Sequence, residues 1–222
     1  MSKKEEKKIK VWDLPTRLFH WVLVIAFAVS SYSAFQDKYG DFAAIHLWSG
    51  FTILALIVWR ILWGFFGSET SRFTRFLKSP RAAFTYAKSL TNQNAPQTLG
   101  HNPLGGYSVV LMLLLLLAQA GLGLFASDGM FFDGPFSGYA SDYTSNITEL
   151  HETLGYVLFG LVGLHVLVIL FYWIWKKVNL ILPMITGNSS VTGDVPQPRV
   201  GSKLIALILA GTVTTLLYYQ IF

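Results

Sequence analysis

The chain has 222 residues, of which 53% are hydrophobic and 13% are charged. A chain this apolar is not a soluble domain of its length, so we interpret it as an integral membrane protein. It contains no cysteine, which excludes iron–sulfur ligation by thiolates, thiol chemistry and disulfide bonds, so any redox chemistry must belong to a bound cofactor. The net charge of +5 is distributed in a way that predicts membrane topology and not nucleic-acid binding.

Five apolar stretches are long enough, or nearly so, to cross a bilayer as helices. They are residues 18–35, 45–66, 107–125, 150–175 and 204–222. Their apolar runs are continuous, whereas barrel strands alternate apolar and polar residues. The sequence therefore predicts an all-α integral membrane fold, in which a transmembrane four-helix bundle is followed by a peripheral fifth helix at the C-terminus.

Positive charge is strongly asymmetric between the two sides of the membrane. With the N-terminus in the cytoplasm, Lys38 is the only Lys or Arg in the two outer loops, and those loops are acidic. This asymmetry predicts a multi-pass protein of the bacterial cytoplasmic (inner) membrane with a cytoplasmic N-terminus. The basic tail Met1 to Lys10 precedes the first span without an evident cleavage site, so we expect that span to be retained.

The first membrane helix opens with the run Trp12-Asp13-Leu-Pro-Thr16-Arg17 and carries His20. Asp13 or Thr16 is expected to cap the helix. Arg17 and His20 are three residues apart and share a helix face, with Arg17 nearer the cytoplasm. This pattern indicates either a ligand with a charge partner or an interfacial belt.

The second helix carries His46 near its outer end and Arg60 fourteen residues later. Fourteen residues come close to four helical turns, so both side chains lie on one face, about 21 Å apart. A buried arginine needs an anion, either a carboxylate of a bound cofactor or a lipid phosphate reached by snorkelling. The sequence leaves these two alternatives open.

Residues 67–103 form a long inner loop rich in Lys and Arg, which favours contact with lipid phosphate. The loop closes with a turn at residues 100–106, which contains Asn102-Pro103 and Gly105-Gly106. His101 and Asn102 are candidates to hydrogen-bond a quinone carbonyl at the inner interface. The alternative is a capping turn in which His101 bonds a backbone carbonyl. The third helix has no histidine and is expected only to pack.

The fourth helix carries His151 and His165, again fourteen residues apart on one face. A polar ring inside a membrane must be bonded, either by an interhelical hydrogen bond or by an axial bond to haem iron. The alternating topology puts His20 and His165 at the inner depth and His46 and His151 at the outer depth. Two imidazoles from different helices at matched depth are what axial ligation of one haem requires.

Both outer histidines are followed by a glycine four residues later, namely Gly50 after His46 and Gly155 after His151. Such a glycine lies on the ligand's own face one turn deeper, where a Cβ would crowd a porphyrin. Small residues also serve ordinary helix packing. Their occurrence at both outer positions favours haem.

The chain resembles the bacterial two-haem cytochrome b family that includes the membrane subunit of nickel–iron hydrogenases and bacterial cytochrome b-561. The matching stretches are Val11 to Trp21, Ile45 to Gly50, Trp59 to Gly64, His101 with its flanking residues, and His151 through His165. The resemblance implies two haem b groups, with His20, His46, His151 and His165 as their iron ligands. It also implies electron exchange with the quinone pool and with a redox protein outside the membrane.

From these observations we divide the chain into a basic cytoplasmic tail at 1–10, a two-haem cytochrome b domain at 11–187, and a linker with the last helix at 188–222. The predicted function is an electron-transfer subunit of a respiratory, quinone-linked oxidoreductase. The periplasmic partner is left open between a hydrogenase, a c-type cytochrome and a molybdenum enzyme, and a homo-oligomer is compatible. The alternatives are a transporter or proton relay with titrating histidines, and a passive membrane anchor.

Overall fold

The computed structural model describes residues 6–36, 40–92, 98–193 and 195–222. The beginning of the basic tail lies outside these residues, as does Lys38, on which the predicted charge asymmetry partly depends.

Eight α-helices are found in the described part of the chain, and five of them are long and apolar enough to cross a membrane. These five are α1 (Leu14–Ala34), α2 (Asp41–Phe66), α5 (Pro103–Phe125), α6 (Thr144–Ile174) and α8 (Lys203–Ile221). Two of these helices, α2 and α5, contain their apolar stretches in full, and each of the other three contains its stretch except for the last residue. The prediction of an all-α integral membrane protein is confirmed.

The helices extend beyond the apolar stretches at several ends. Helix α2 begins at Asp41, and α6 begins at Thr144 after a 3₁₀ segment at Ser137–Tyr143. The first turns of these helices contain polar residues, which the search for apolar runs did not include. His46 therefore lies in the second turn of α2, and His151 lies in the third turn of α6.

The other described elements are three short α-helices, a 3₁₀ helix at Glu69–Ser71 and one strand pair. The long loop contains α3 (Phe73–Phe76) and α4 (Pro80–Ser89), and α7 (Ile181–Thr186) follows α6. Strand β1 (Glu6–Lys10) pairs antiparallel with β2 (Asn188–Thr192). The sequence analysis treated these strands as tail and linker, because each contains only one apolar residue and pairs with a partner far away in the chain.

The chain divides into two compact units. The first unit contains the described residues up to Leu18 together with Leu62–Val110 and Gly163–Ala206. The second unit contains Phe19–Ile61, Leu111–Val162 and Leu207–Phe222. The long helices contribute segments to both units.

A buried polar network centred on Asp13 organises the first unit. Asp13 is 2% exposed and accepts the backbone N–H of Thr16 at 2.8 Å, so it, and not the alternative Thr16, caps α1. Its other carboxylate oxygen accepts the indole N–H of the fully buried Trp63 at 3.2 Å. The hydroxyl groups of Thr16 and Ser71 are hydrogen-bonded at 2.7 Å. This network joins the start of α1 to the end of α2 and the segment after it.

Replacing Asp13 by alanine is expected to lower the free energy of unfolding in detergent micelles by about 2–4 kcal/mol. The estimate adds about 1 kcal/mol for a lost cap to about 1–3 kcal/mol for an indole N–H left buried without its acceptor. Asp13→Asn keeps a capping oxygen and should lose less. Equal stability of Asp13→Ala and the unmodified chain in a denaturant titration would contradict this role.

The second unit contains parts of all five long helices and the loop between α5 and α6. In this loop one carboxylate oxygen of Asp128 accepts the backbone N–H groups of residues 130, 131 and 132. The hydroxyl of Thr148 on α6 donates to the carbonyl of Ser127 at 2.9 Å and accepts from its N–H at 3.0 Å. The loop is thus held to the first turns of α6, beside the side chains described next.

Candidate functional site

The second unit brings His46 and His151 together. The centroids of the two imidazole rings are 6.1 Å apart and the ring planes are inclined at 85°. His46 extends from α2 and His151 from α6, so the two rings come from different helices, as the sequence predicts. Both side chains are half-buried.

Both histidines donate through Nδ1 to a backbone carbonyl. Nδ1 of His46 lies 3.0 Å from the carbonyl oxygen of Ser30 on α1, and Nδ1 of His151 lies 3.0 Å from the carbonyl oxygen of Gln119 on α5. A carbonyl only accepts, so Nδ1 carries the proton in each ring. Nε2 of each neutral imidazole therefore carries a lone pair, which can accept a hydrogen bond or bind a metal ion.

A mostly apolar cavity of about 350 Å³ surrounds the two rings. A Cβ placed on Gly50 would meet no atom within 4 Å, so the face of α2 one turn after His46 is open to this cavity. Besides His46, His151 and Gly50, the residues that line the cavity include Ser33, Leu54, Leu116, Gln119, Gly123, Thr148, Gly155, Leu158 and Phe222. The opening beside Gly50 matches the space that the sequence analysis expected there.

Helix α5 contributes to the cavity more than the sequence analysis expected. A Cβ on Gly123 would lie 3.1 Å from Cε1 of His151, so any larger residue there pushes against the imidazole. The side-chain amide nitrogen of Gln119 lies 3.3 Å from Nε2 of His151 and donates to it. The spacing of Gln119 and Gly123 places both on one face of an otherwise apolar helix, which is the signal in the sequence that points to them.

Gly155 also lines the cavity, with the amide nitrogen of Gln119 at 3.5 Å from the position of an added Cβ. That is an ordinary contact distance. The described protein atoms therefore leave room for a small side chain at Gly155, and the expected crowding there concerns only a bound group.

The other predicted histidine pair is divided between the two units. His20 belongs to the second unit, where its ring packs edge-on against Trp21 at 5.0 Å, and His165 belongs to the first. Both are half-buried. Their pairing stays a prediction from helix spacing and topology.

Arg60 is 2% exposed, which makes it one of the most buried charged residues in the described part of the chain. It belongs to the second unit but does not line the His46–His151 cavity. This burial does not fit an arginine that snorkels to lipid phosphate, since such a side chain keeps its charged end at the interface.

Arg17 lies in the first turns of α1, in the first unit. Its guanidinium donates to the carbonyl of Ile185 at the end of α7, where unsatisfied carbonyl groups carry partial negative charge. Gly187, which ends α7 with φ of 87°, has its carbonyl bound by the N–H groups of Val11 at 2.8 Å and Trp12 at 3.0 Å. Arg17 thus helps to hold the end of α7 against the start of α1.

The turn at residues 100–106 belongs to the first unit and caps α5. The side-chain oxygen of Asn102 accepts the N–H of Gly105 at 2.7 Å, and its amide nitrogen donates to the hydroxyl of Tyr172 at 3.0 Å. The imidazole of His101 packs against Trp12 and Phe76, with centroid distances of 4.8 and 4.7 Å. Asn102 is therefore the helix cap, and both ends of its amide are used within the protein.

The fold defines an integral membrane protein in which imidazoles from two different helices line one cavity. The chain belongs to the family described as prokaryotic cytochrome b561, which it matches over residues 11–187. No curated protein and no solved structure matched the chain in the corresponding comparisons. The matched range ends at Gly187, before β2 and α8.

The family consists of membrane b-type cytochromes in electron transfer, so the cofactor that it implies is haem b. The residues around His46 and His151 fit this group. His46 and His151 would hold the haem iron, since their rings come from different helices and lie 6.1 Å apart, centroid to centroid, in one cavity. Both Nδ1 atoms are bonded to carbonyl groups and the space beside Gly50 is open, so Nε2 of each ring could bind the iron once the Gln119 amide moves off Nε2 of His151.

Proposed function

We propose that the protein is a dihaem electron carrier of the bacterial cytoplasmic membrane. In this proposal His46 and His151 bind one haem b and His20 and His165 bind the other. The observation that carries it is the His46–His151 pair, whose 6.1 Å ring separation and carbonyl-bound Nδ1 atoms suit axial ligation. Bound haem supplies one-electron transfer at its iron.

The protein's own residues orient the ligands and keep water away. Hydrogen bonds from Nδ1 to the carbonyl groups of Ser30 and Gln119 fix both ring orientations and raise the basicity of Nε2. Leu54, Leu116 and Leu158 contribute apolar wall. His46 and His151 would hold the haem iron in such a site, and bound haem would then favour electron transfer over binding of small molecules.

Arg60 and Arg17 are proposed to act on the second haem group. The burial of Arg60 supports a cofactor carboxylate as its anion, because a buried guanidinium needs a charged acceptor. The hydrogen bond of Arg17 to Ile185 uses one nitrogen of a guanidinium that has five N–H donors, so the same side chain can also donate to a propionate.

The proposed electron path joins the membrane quinone pool to a redox protein outside the cytoplasmic membrane. The N-terminus is assigned to the cytoplasm because Lys and Arg are concentrated on that side of the predicted topology. For quinone we propose His101 at the turn before α5, whereas the capping role of Asn102 makes it a positioning residue for that turn. The acidic outer loops would receive the redox partner.

A histidine-dependent transporter or proton relay is the rival function. It requires imidazoles that gain and lose protons as they work. The hydrogen bonds from Nδ1 to main-chain carbonyls favour a fixed tautomer, which suits an iron ligand better than a proton carrier.

Absorbance and EPR spectroscopy of the purified, haem-replete chain test the proposal. We expect a b-type spectrum, about two haems per chain and low-spin iron, since each iron has two imidazole ligands. A quinol should reduce both haems. In His101→Ala, reduction by quinol should slow while both haems and their reduction by dithionite are retained.

Absence of a Soret band in haem-replete protein would rule out the electron carrier and favour the transporter. A single haem per chain would remove the His20–His165 site from the proposal. Unchanged reduction by quinol in His101→Ala would move the quinone site away from the turn.

A further inference from the structure

Helix α8 lies beyond the range matched by the family and has no histidine, yet its end forms part of the His46–His151 cavity. Ile221 and Phe222 belong to the cavity wall. They contribute only apolar surface to a cavity whose other walls come from α1, α2, α5, α6 and the loop before α6.

An aromatic stack holds the end of α8 against α2. The ring of Phe222 stacks on Trp48 with a centroid distance of 4.8 Å and an angle of 20°, and it packs edge-on against Phe51 at 5.6 Å. Tyr218, one turn earlier, lies nearly parallel to Trp48 at 6.5 Å. Rings at these separations attract one another beyond the burial of their area.

The position of this stack along α2 connects it to the iron ligand. Trp48 is two residues after His46, and Phe51 directly follows Gly50, the residue that faces open space in the cavity. Trp48 and Phe222 are each about half exposed, at 48% and 50%, so the stack is an outer wall with the cavity on its inner side. Removing the ring of Phe222 would therefore open a path from the surroundings to the cavity.

We propose that α8 is part of the cofactor site: Phe222 and Ile221, held by the stack on Trp48, close the cavity against water and small ligands. This inference rests on the proposed function for the identity of the cofactor. The wall itself depends only on the geometry of the second unit. Because exposure to water stabilises the more charged, ferric state, the closed wall also keeps the potential of the bound haem high.

The test compares Phe222→Ala with the unmodified chain by three measurements. Reduced protein should combine with carbon monoxide several-fold faster in the variant, and the midpoint potential of one of the two haems should shift downward. The third measurement needs no haem. The chain has no cysteine, so Ala120→Cys places a single thiol in the cavity wall, and its labelling by a hydrophilic maleimide should accelerate several-fold when combined with Phe222→Ala.

Two further variants separate closure from a general effect on α8. Leu216→Ala removes a side chain of α8 that is 61% exposed and lies outside the cavity wall, and it should change none of the three measurements. Phe222→Tyr keeps the aromatic ring, so its rates of thiol labelling and of carbon monoxide binding should be as slow as those of the chain with Phe222.

Unchanged thiol labelling in Phe222→Ala would overturn the proposed wall, whether or not the site binds haem. An equal acceleration in Leu216→Ala would do the same. Accelerated labelling in a chain that binds no haem at His46 and His151 would support the wall and contradict the proposed function instead.

Discussion

Replacing His46 or His151 by alanine is expected to reduce the haem content from about two per chain to about one. The reason is that, in the proposed site, one iron needs both imidazoles, whose ring centroids lie 6.1 Å apart. The measurement is a pyridine haemochrome assay, with haem expressed per mole of purified chain.

Because the two ligands act as a unit, the double variant should lose no more haem than either single variant. His101→Ala is the matched control, since it removes an imidazole that packs against Trp12 and Phe76 in the first unit. It should retain both haems. Full haem content in His46→Ala, or loss of both groups, would contradict the assigned pair.

A large side chain at position 50 is expected to fill the cavity and so prevent binding of the haem proposed at His46 and His151, although both histidines are still present. In Gly50→Leu the new side chain extends into space that holds no protein atom within 4 Å of the added Cβ. The protein should fold, because leucine is the better helix former by about 1 kcal/mol and its Cβ meets no atom within 4 Å. Haem content should fall to about one per chain, as in the histidine variants.

Gly160→Leu provides the control for this substitution. Gly160 lies on α6, an added Cβ there also meets no atom within 4 Å, and the residue does not line the cavity. It should keep both haems. Thermal unfolding followed by circular dichroism establishes that both leucine variants are folded, and a folded Gly50→Leu protein with two haems would show that the group does not occupy this space.

The long helices and the approach of His46 to His151 could be predicted, because both follow from local patterns. Continuous apolar runs predict membrane helices, and a fourteen-residue spacing puts two side chains on one face. The capping role of Asp13 was one of two stated alternatives. It could be seen in the sequence because the side chain precedes a proline and an apolar run.

The acceptors for the two histidines could not be predicted. The acceptors are the main-chain carbonyl groups of Ser30 and Gln119. Because every residue has a carbonyl group, the sequence does not indicate which of them a histidine will contact. The wall at Phe222 was missed for a related reason. An apolar ring on a membrane helix can face either lipid or a cofactor site, and the sequence is the same in both cases. The packing of Phe222 on Trp48, which is seen only in the structure, places this ring at the cavity.

The pairing of β1 with β2 has a consequence for the order in which the protein is made. The two strands flank residues 11–187, so the N-terminal strand is synthesised first and its partner leaves the ribosome only after α1, α2, α5 and α6 are complete. Until then Glu6–Lys10 is an unpaired strand whose lysines disfavour pairing with another chain. Closure of the β1–β2 pair, which leaves Ile9 fully buried, is thus a late step of biogenesis that comes after insertion of the first four spans.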